Sequence, residues 1–93
     1  MNGDGALVHV RLAPLLVELF RDAPRRVSLP AADVTGLIDA LDVHWPGMGA
    51  CIRDETPAVR RHINIFVGGR RVSLDAKLAP GTDVFILTAI SGG

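Results

Sequence analysis

Only one stretch of this chain has the spacing of a long amphipathic helix. Val34, Leu37, Ile38, Leu41 and Trp45 recur at steps of three and four, while Asp39 and Asp42 point elsewhere. A helix with one apolar face must lie on something, and a single helix covers one face of one sheet. Asp33 or Thr35 supplies its cap, since either side-chain oxygen accepts from an orphan N–H one turn on. Pro46-Gly47 ends it.

Strand-period segments flank this helix on both sides. Ala6, Val8, Val10 and Leu12 alternate with His9 and Arg11, the period of two of a half-buried strand. Val27-Ser28-Leu29 reads as a short second strand stopped by Pro30. From His62 to Val67, the residues Ile63, Ile65 and Val67 take one face, and Asn64 and Phe66 the other. Gly68-Gly69 supplies the positive φ angles of a two-residue hairpin before Arg70-Arg71-Val72-Ser73-Leu74. Pro80-Gly81-Thr82-Asp83 turns the chain into Val84-Phe85-Ile86-Leu87-Thr88-Ala89, apolar and continuous enough for the inside of a sheet. Two segments are less regular. Pro14 and Pro24 bracket a short patch, Leu15 to Asp22, that reads as a helical turn or packed loop, and Met48 to Arg61 reads as a long irregular crossing.

The order strand, strand, helix, strand, strand, strand gives an α+β two-layer domain. Pairing the first and last strands at the sheet centre gives a β-grasp arrangement: a mixed sheet of about five strands with one main helix packed on one face. At 93 residues there is room for one domain, 1–93, with a loose N-terminus at 1–5 and a flexible C-terminal tail at 90–93. So small a core leaves little for a deep pocket with its own catalytic shell, which favours a carrier, adaptor or subunit.

Ten Lys plus Arg balance ten Asp plus Glu, which removes the electrostatic footprint of a nucleic-acid binder. The cations are paired as Arg25-Arg26, Arg60-Arg61 and Arg70-Arg71, which suits solvated strand ends or rim contacts to an acidic partner. The single cysteine, Cys51, has no partner for an intramolecular disulfide and no Cys-x-x-Cys spacing. It has no neighbouring His or Lys in sequence to depress its pKa, so an inert thiol is the simpler reading. His9, His44 and His62 lack metal-ligand spacing, and Asp39 with Asp42 suits an exposed acidic face better than a cation site. No metal, bound cofactor or catalytic side chain of its own is expected. The start, MNGDGALVHV, lacks a leader pattern and no run approaches a membrane span, so a cytoplasmic protein without membrane contact is expected.

The remaining signal is the end of the chain, Ile90-Ser91-Gly92-Gly93, which follows directly on the last strand. Two terminal glycines place an α-carboxylate on an extended segment with no Cβ to obstruct a narrow channel.

The run Ile63-Asn64-Ile65-Phe66-Val67-Gly68-Gly69, the run Leu78-Ala79-Pro80-Gly81-Thr82-Asp83-Val84-Phe85-Ile86-Leu87, and the end Ser91-Gly92-Gly93 together resemble the ubiquitin-like sulfur carrier proteins. That family includes the small subunit of molybdopterin synthase, the thiamine-pathway sulfur carrier and the carrier of an alternative cysteine synthesis. The resemblance is most specific over residues 62–93, and departs at Thr88-Ala89-Ile90-Ser91, where the family's pattern has a proline and a more valine-like run. It implies a ubiquitin-like β-grasp and a C-terminal thiocarboxylate, with Gly93 carrying the carboxyl group that is adenylated and then converted to COSH. The partners implied are an E1-like adenylating protein that uses ATP, a cysteine desulfurase or rhodanese-type sulfur donor, and an acceptor. The acceptor is a cysteine synthase-like enzyme or the molybdopterin synthase large subunit, and the compact hairpin is more similar to the cysteine-synthesis carriers.

Docking belongs on the sheet face away from the helix. If Ile63, Ile65 and Val67 face the core, Phe66 faces out. Either Phe85 with Leu87 or Val84 with Ile86 joins it, and Phe66, Phe85 and Leu87 form the expected patch. In a competing arrangement residues 13–26 fold back over part of that face. Two other functions stay open: a protein modifier forming isopeptide bonds through the same carboxyl, and a plain binding module.

Overall fold

The computed structural model describes residues 7–88. The elements run β1 (Leu7–Leu12), α1 (Pro14–Leu19), β2 (Arg26–Pro30), α2 (Val34–His44), α3 (Met48–Ile52), β3 (Ile63–Val67), β4 (Arg70–Arg71) and β5 (Asp83–Thr88). The five strands form one sheet in the order β2-β1-β5-β3-β4. β1 and β5 pair in parallel at the centre, and the β1–β2, β3–β5 and β3–β4 pairs are antiparallel. The expected mixed sheet, with the last strand inside it, is the one observed.

Alternation decides which face is covered. Val8, Val10 and Leu12 of β1, Ile63 and Ile65 of β3, and Val84 and Ile86 of β5 are all buried. They form one cluster with Val34, Leu37, Ile38 and Leu41 of α2 and with Leu16, Met48 and Ile52 of the two short helices. All three helices therefore pack on the same side of the sheet. Burying side chains of this size supplies the main favourable term, each worth about 1.5–3 kcal/mol relative to exposure.

The long helix starts where its cap was expected. The Asp33 carboxylate accepts from the Gly36 N–H at 2.7 Å, and Thr35 instead donates its hydroxyl to the Leu74 carbonyl at 2.9 Å. Its other end differs from expectation, because residues 48–52 are a helical turn, α3, and not part of an irregular crossing. Gly47 turns the chain at φ 99°, and the Asp42 carboxylate accepts from the Gly47 and Gly49 N–H groups at 3.0 and 2.8 Å. Met48 and Ile52 then bury on one side at helical spacing. Asp42 is thus a capping residue, and Asp39 pairs with Arg53 at 2.5 Å, so the two aspartates have separate structural partners.

Pro14 to Leu19 is the helical turn of α1, with Pro14 at its first turn, where a missing N–H does no harm. Its Leu16, together with Ala23 further on, belongs to the helix-side cluster. Within residues 13–26, Leu16 and Ala23 thus bury in the core and not over the opposite face. The hairpin turn is confirmed by φ angles of 61° at Gly68 and 79° at Gly69. β4 is shorter than expected, ending at Arg71, although the Val72 N–H still donates to the Ile65 carbonyl. The loose start at 1–5 and the tail at 90–93 lie outside the described residues.

Candidate functional site

Because Val84 and Ile86 point into the core, Phe85 and Leu87 occupy the other face of β5. This settles the parity left open by the sequence. Phe66 lies directly opposite Phe85 in the β3–β5 ladder, and Asn64 opposite Leu87. The expected patch of Phe66, Phe85 and Leu87 therefore shares one face, away from the helices. All three side chains are half-buried, as neighbours in a sheet that shield one another are.

The ladder registers extend this patch across the whole sheet. Arg26 pairs with Arg11, Arg11 with Phe85, Phe85 with Phe66, and Phe66 with Arg71. One lateral row, one residue from each strand, thus reads Arg, Arg, Phe, Phe, Arg. The Arg11 guanidinium lies over the Phe85 ring, 5.1 Å from its centroid, within the range of a cation–π contact. In the adjoining row the His9 ring Nδ1 is 2.8 Å from the Ser28 hydroxyl, and His9 is opposite Asp83. Arg11, Arg26 and Arg71 were not singled out as a group in the sequence, where they lie on three separate strands. Register alone brings them together.

The remaining candidates supply less chemistry. No polar or charged side chain is buried among the described residues, so none is held in the low-dielectric setting that tunes an acid, base or nucleophile. No cluster of three or more His, Cys, Asp or Glu that could hold a metal ion occurs among them. Cys51 sits in α3, half-buried, in a small groove shared with Leu15, Leu19 and His62. A wider groove of about 810 Å³ runs between the 57–61 loop and residues 71–75, lined by Thr35, Arg60, Arg61 and Asp75 among others. Asp54 titrates below its usual carboxylate value of 3.8, chiefly because the Thr56 hydroxyl and N–H donate to it. Asp75 is lowered in the same sense, first by the Ser73 hydroxyl. Both carboxylates are loop staples. No described helix is long and apolar enough to cross a membrane.

The most direct link between this face and the chain's end is β5, whose last described residue, Thr88, is paired with Ile63 of β3. Ile90, Ser91, Gly92 and Gly93 themselves lie outside the described residues. Solved structures match this architecture almost end to end. One chain of the Amycolatopsis orientalis BexX/CysO complex is 27% identical, with a TM-score of 0.80 over 92% of this chain and 99% of that one. The fold is the ubiquitin-like β-grasp. Mycobacterium tuberculosis CysO superposes with a TM-score of 0.80 at 24% identity, over 89% of this chain and 99% of that one. Haloferax volcanii SAMP1 does so at 0.77 and 23%, over 94% and 99%. The resemblance to ubiquitin-like carriers and modifiers thus spans most of the chain. No protein-family model and no curated protein sequence matches it.

Proposed function

We propose that this chain is a sulfur carrier whose Gly93 carboxylate is adenylated by a partner and converted to a thiocarboxylate that donates sulfur. The observation that carries the reading is the placement of β5. This central strand ends at Thr88, carries Phe85 and Leu87 on the open face, and is followed in sequence by Ala89-Ile90-Ser91-Gly92-Gly93. Five extended residues reach at most about 17 Å beyond the sheet, far enough to enter a partner's site while the open face rests on that partner. The likeness to the CysO chain at 27% identity supports the same assignment.

The chemistry follows from the weakness of a carboxylate as an electrophile. A Gly93 carboxylate oxygen attacks the α-phosphorus of ATP, pyrophosphate leaves and an acyl adenylate forms. Sulfide sulfur then attacks the acyl carbon, AMP departs with the C–O electron pair, and a thiocarboxylate remains. The cationic groups that stabilise the charge developing on phosphorus belong to the adenylating partner. This chain delivers the acyl carbon: Gly92 and Gly93 present it without a Cβ, Ile90 and Ser91 span the distance, and Phe66, Phe85 and Leu87 dock. The donor, a cysteine desulfurase or rhodanese-type protein, holds the sulfur as a persulfide, and a thiol reductant releases it at the sulfide level while being oxidised to a disulfide. The sulfur passes to a cysteine synthase-like enzyme or to a molybdopterin synthase large subunit.

The likeness to SAMP1, a small archaeal modifier protein, motivates a second reading in which the same activated carboxyl forms an isopeptide bond with a lysine. Higher-mass adducts that survive reducing agent belong to that reading. The carrier reading is tested by ATP–pyrophosphate exchange with an E1-like adenylating protein from the same cell. Exchange must depend on this chain and disappear when Gly92 and Gly93 are deleted. Exchange indifferent to the deletion would overturn it.

A further inference from the structure

The outer edge of β3 is only half covered. β4 pairs with it at Val67–Arg70 and Phe66–Arg71, and the Val72 N–H still reaches the Ile65 carbonyl at 2.8 Å. From there the chain leaves the sheet for the start of α2, where the Leu74 carbonyl accepts from the Thr35 N–H and hydroxyl. On the other side the 57–61 loop is pinned, because the Ala58 N–H donates to the Asp54 carboxylate and the Arg60 N–H to the Ile52 carbonyl. The groove of about 810 Å³ lies between these two walls. Val59, Val72 and Leu74, each packed against the core, give it apolar surface.

Two main-chain groups of β3 face this gap. The Ile65 carbonyl points outward to Val72, and backbone polar groups change sides at each residue of a strand, so those of Ile63 point outward as well. The Ile63 N–H is satisfied by the Arg60 carbonyl at 2.9 Å. The Ile63 carbonyl and the Ile65 N–H have no hydrogen-bond partner among the described residues. A carbonyl at one position and an N–H two positions on are what a single residue of a parallel strand binds, its N–H on the first and its carbonyl on the second. An antiparallel strand would have to compete with Arg60 or Val72 for its bonds.

We infer that this groove binds an extended peptide segment of a partner protein, running parallel to β3, with an acidic residue opposite Asn64 and an apolar residue on either side of it. Strand periodicity assigns the side chains. Residues paired across a ladder share a face, and Asn64 lies on the open face with Phe66 and Arg71. The residue opposite Asn64 therefore projects toward that face, close to Arg71, while its two neighbours project inward to Val59, Val72 and Leu74. Arg60, Arg61 and Arg71 line the groove against one carboxylate, Asp75, which already accepts from the Ser73 hydroxyl. That balance selects an acidic segment over a basic one, and the exposed guanidinium forks of Arg61 and Arg71 suit carboxylates. Main-chain bonds to the open edge supply affinity, and the alternating side chains supply specificity. Binding here needs neither Gly93 nor its activation.

The test titrates the isotopically labelled full chain with acetyl-Val-Glu-Val-Glu-Val-Glu-amide, and separately with the same peptide carrying lysine for glutamate. Amides of Val59, Ile63, Asn64, Ile65 and Val72 should shift with the acidic peptide, and exchange of the Ile65 N–H should slow as it gains an acceptor. The lysine peptide should bind at least about tenfold more weakly, and so should the acidic peptide to a chain carrying Arg61→Gln and Arg71→Gln. N-methylation of the glutamates removes the N–H meant for the Ile63 carbonyl and should also weaken binding at least about tenfold. No shift at Ile63 to Ile65 with about 1 mM acidic peptide overturns the inference. Equal binding of the two charges, or indifference to N-methylation, does so too. Shifts centred on Phe85 and Leu87 would place the peptide on the open face and reject the groove. The same amide shifts on concentrating the chain alone would make a second copy the occupant and reject the partner peptide.

Discussion

Phe66 and Phe85 stand directly opposite each other across the β3–β5 ladder, on the side of the sheet that the helices leave uncovered. A cross-strand aromatic pair stabilises the ladder by a few tenths to about 1 kcal/mol, yet it leaves both rings accessible on one side. The pair is therefore tolerated by the fold and available to a partner.

Replacing Phe66 with Asp should separate these two roles. The ring is only half-buried and its neighbours on that face include Arg71, so unfolding stability should fall by about 1–2 kcal/mol. Affinity for the adenylating protein should fall at least about tenfold, as for loss of a central interface aromatic. A binding titration paired with a denaturant melt reads both quantities, and unchanged affinity in a folded variant would reject the docking role.

The turn between α2 and α3 offers a structural test. A Cβ at Gly49 would lie 3.0–3.2 Å from the Asp42 side-chain atoms, and Gly49 is buried. Gly49→Ala should push the Asp42 carboxylate away from the two N–H groups it caps, costing about 1–3 kcal/mol. Faster hydrogen exchange at Met48 to Ile52, with β1 and β5 still protected, is the expected pattern. Equal stability of variant and parent would show that the cap is dispensable.

Acid should act on the 54–58 loop before it reaches the core. The Asp54 carboxylate accepts from the Thr56 hydroxyl and from the Thr56 and Ala58 N–H groups, which lowers its folded-state pKa below 3.8. A depressed carboxylate contributes stability that is fully present above its unfolded value, and loses it as pH falls through the folded one. A carbon-detected titration should therefore place the Asp54 midpoint below 3.8, with the Thr56 and Ala58 amide shifts moving in the same window. A midpoint at or above the ordinary value would contradict the hydrogen-bonding scheme.

Gly93→Ala bears on the tail alone. A methyl group beside the acyl carbon crowds the position at which ATP and sulfide act in turn, so activation should fall by at least about tenfold. Stability should be unchanged. Near-normal thiocarboxylate yield from this variant would mean that the absence of a side chain at the end does not matter.

The legible parts of the fold were those written in short-range pattern. The alternation of Val8, Val10 and Leu12, the hairpin at Gly68-Gly69 and the stripe from Val34 to Leu41 each place a residue by its neighbours' spacing. What spacing could not supply was anything fixed by residues distant in sequence. The parity of β5 is settled by which side meets α2, and the Arg26–Arg11–Phe85–Phe66–Arg71 row exists only once five strands are in register. The helical turn at Met48 to Ile52 leaves no periodic signal because it is only five residues long and owes its cap to Asp42 on the preceding helix. Composition across 46–61, rich in Pro, Gly and polar residues, resembles that of a loop.

The central claim is tested most directly by intact-mass and C-terminal fragment spectra of the purified chain after incubation with ATP, sulfide and an E1-like adenylating protein of the same cell. The expected result is a mass gain equal to exchanging one oxygen for sulfur, confined to the fragment that ends at Gly93. No gain, with an adenylating protein that charges another carrier under the same conditions, would contradict the assignment of this chain as a sulfur carrier.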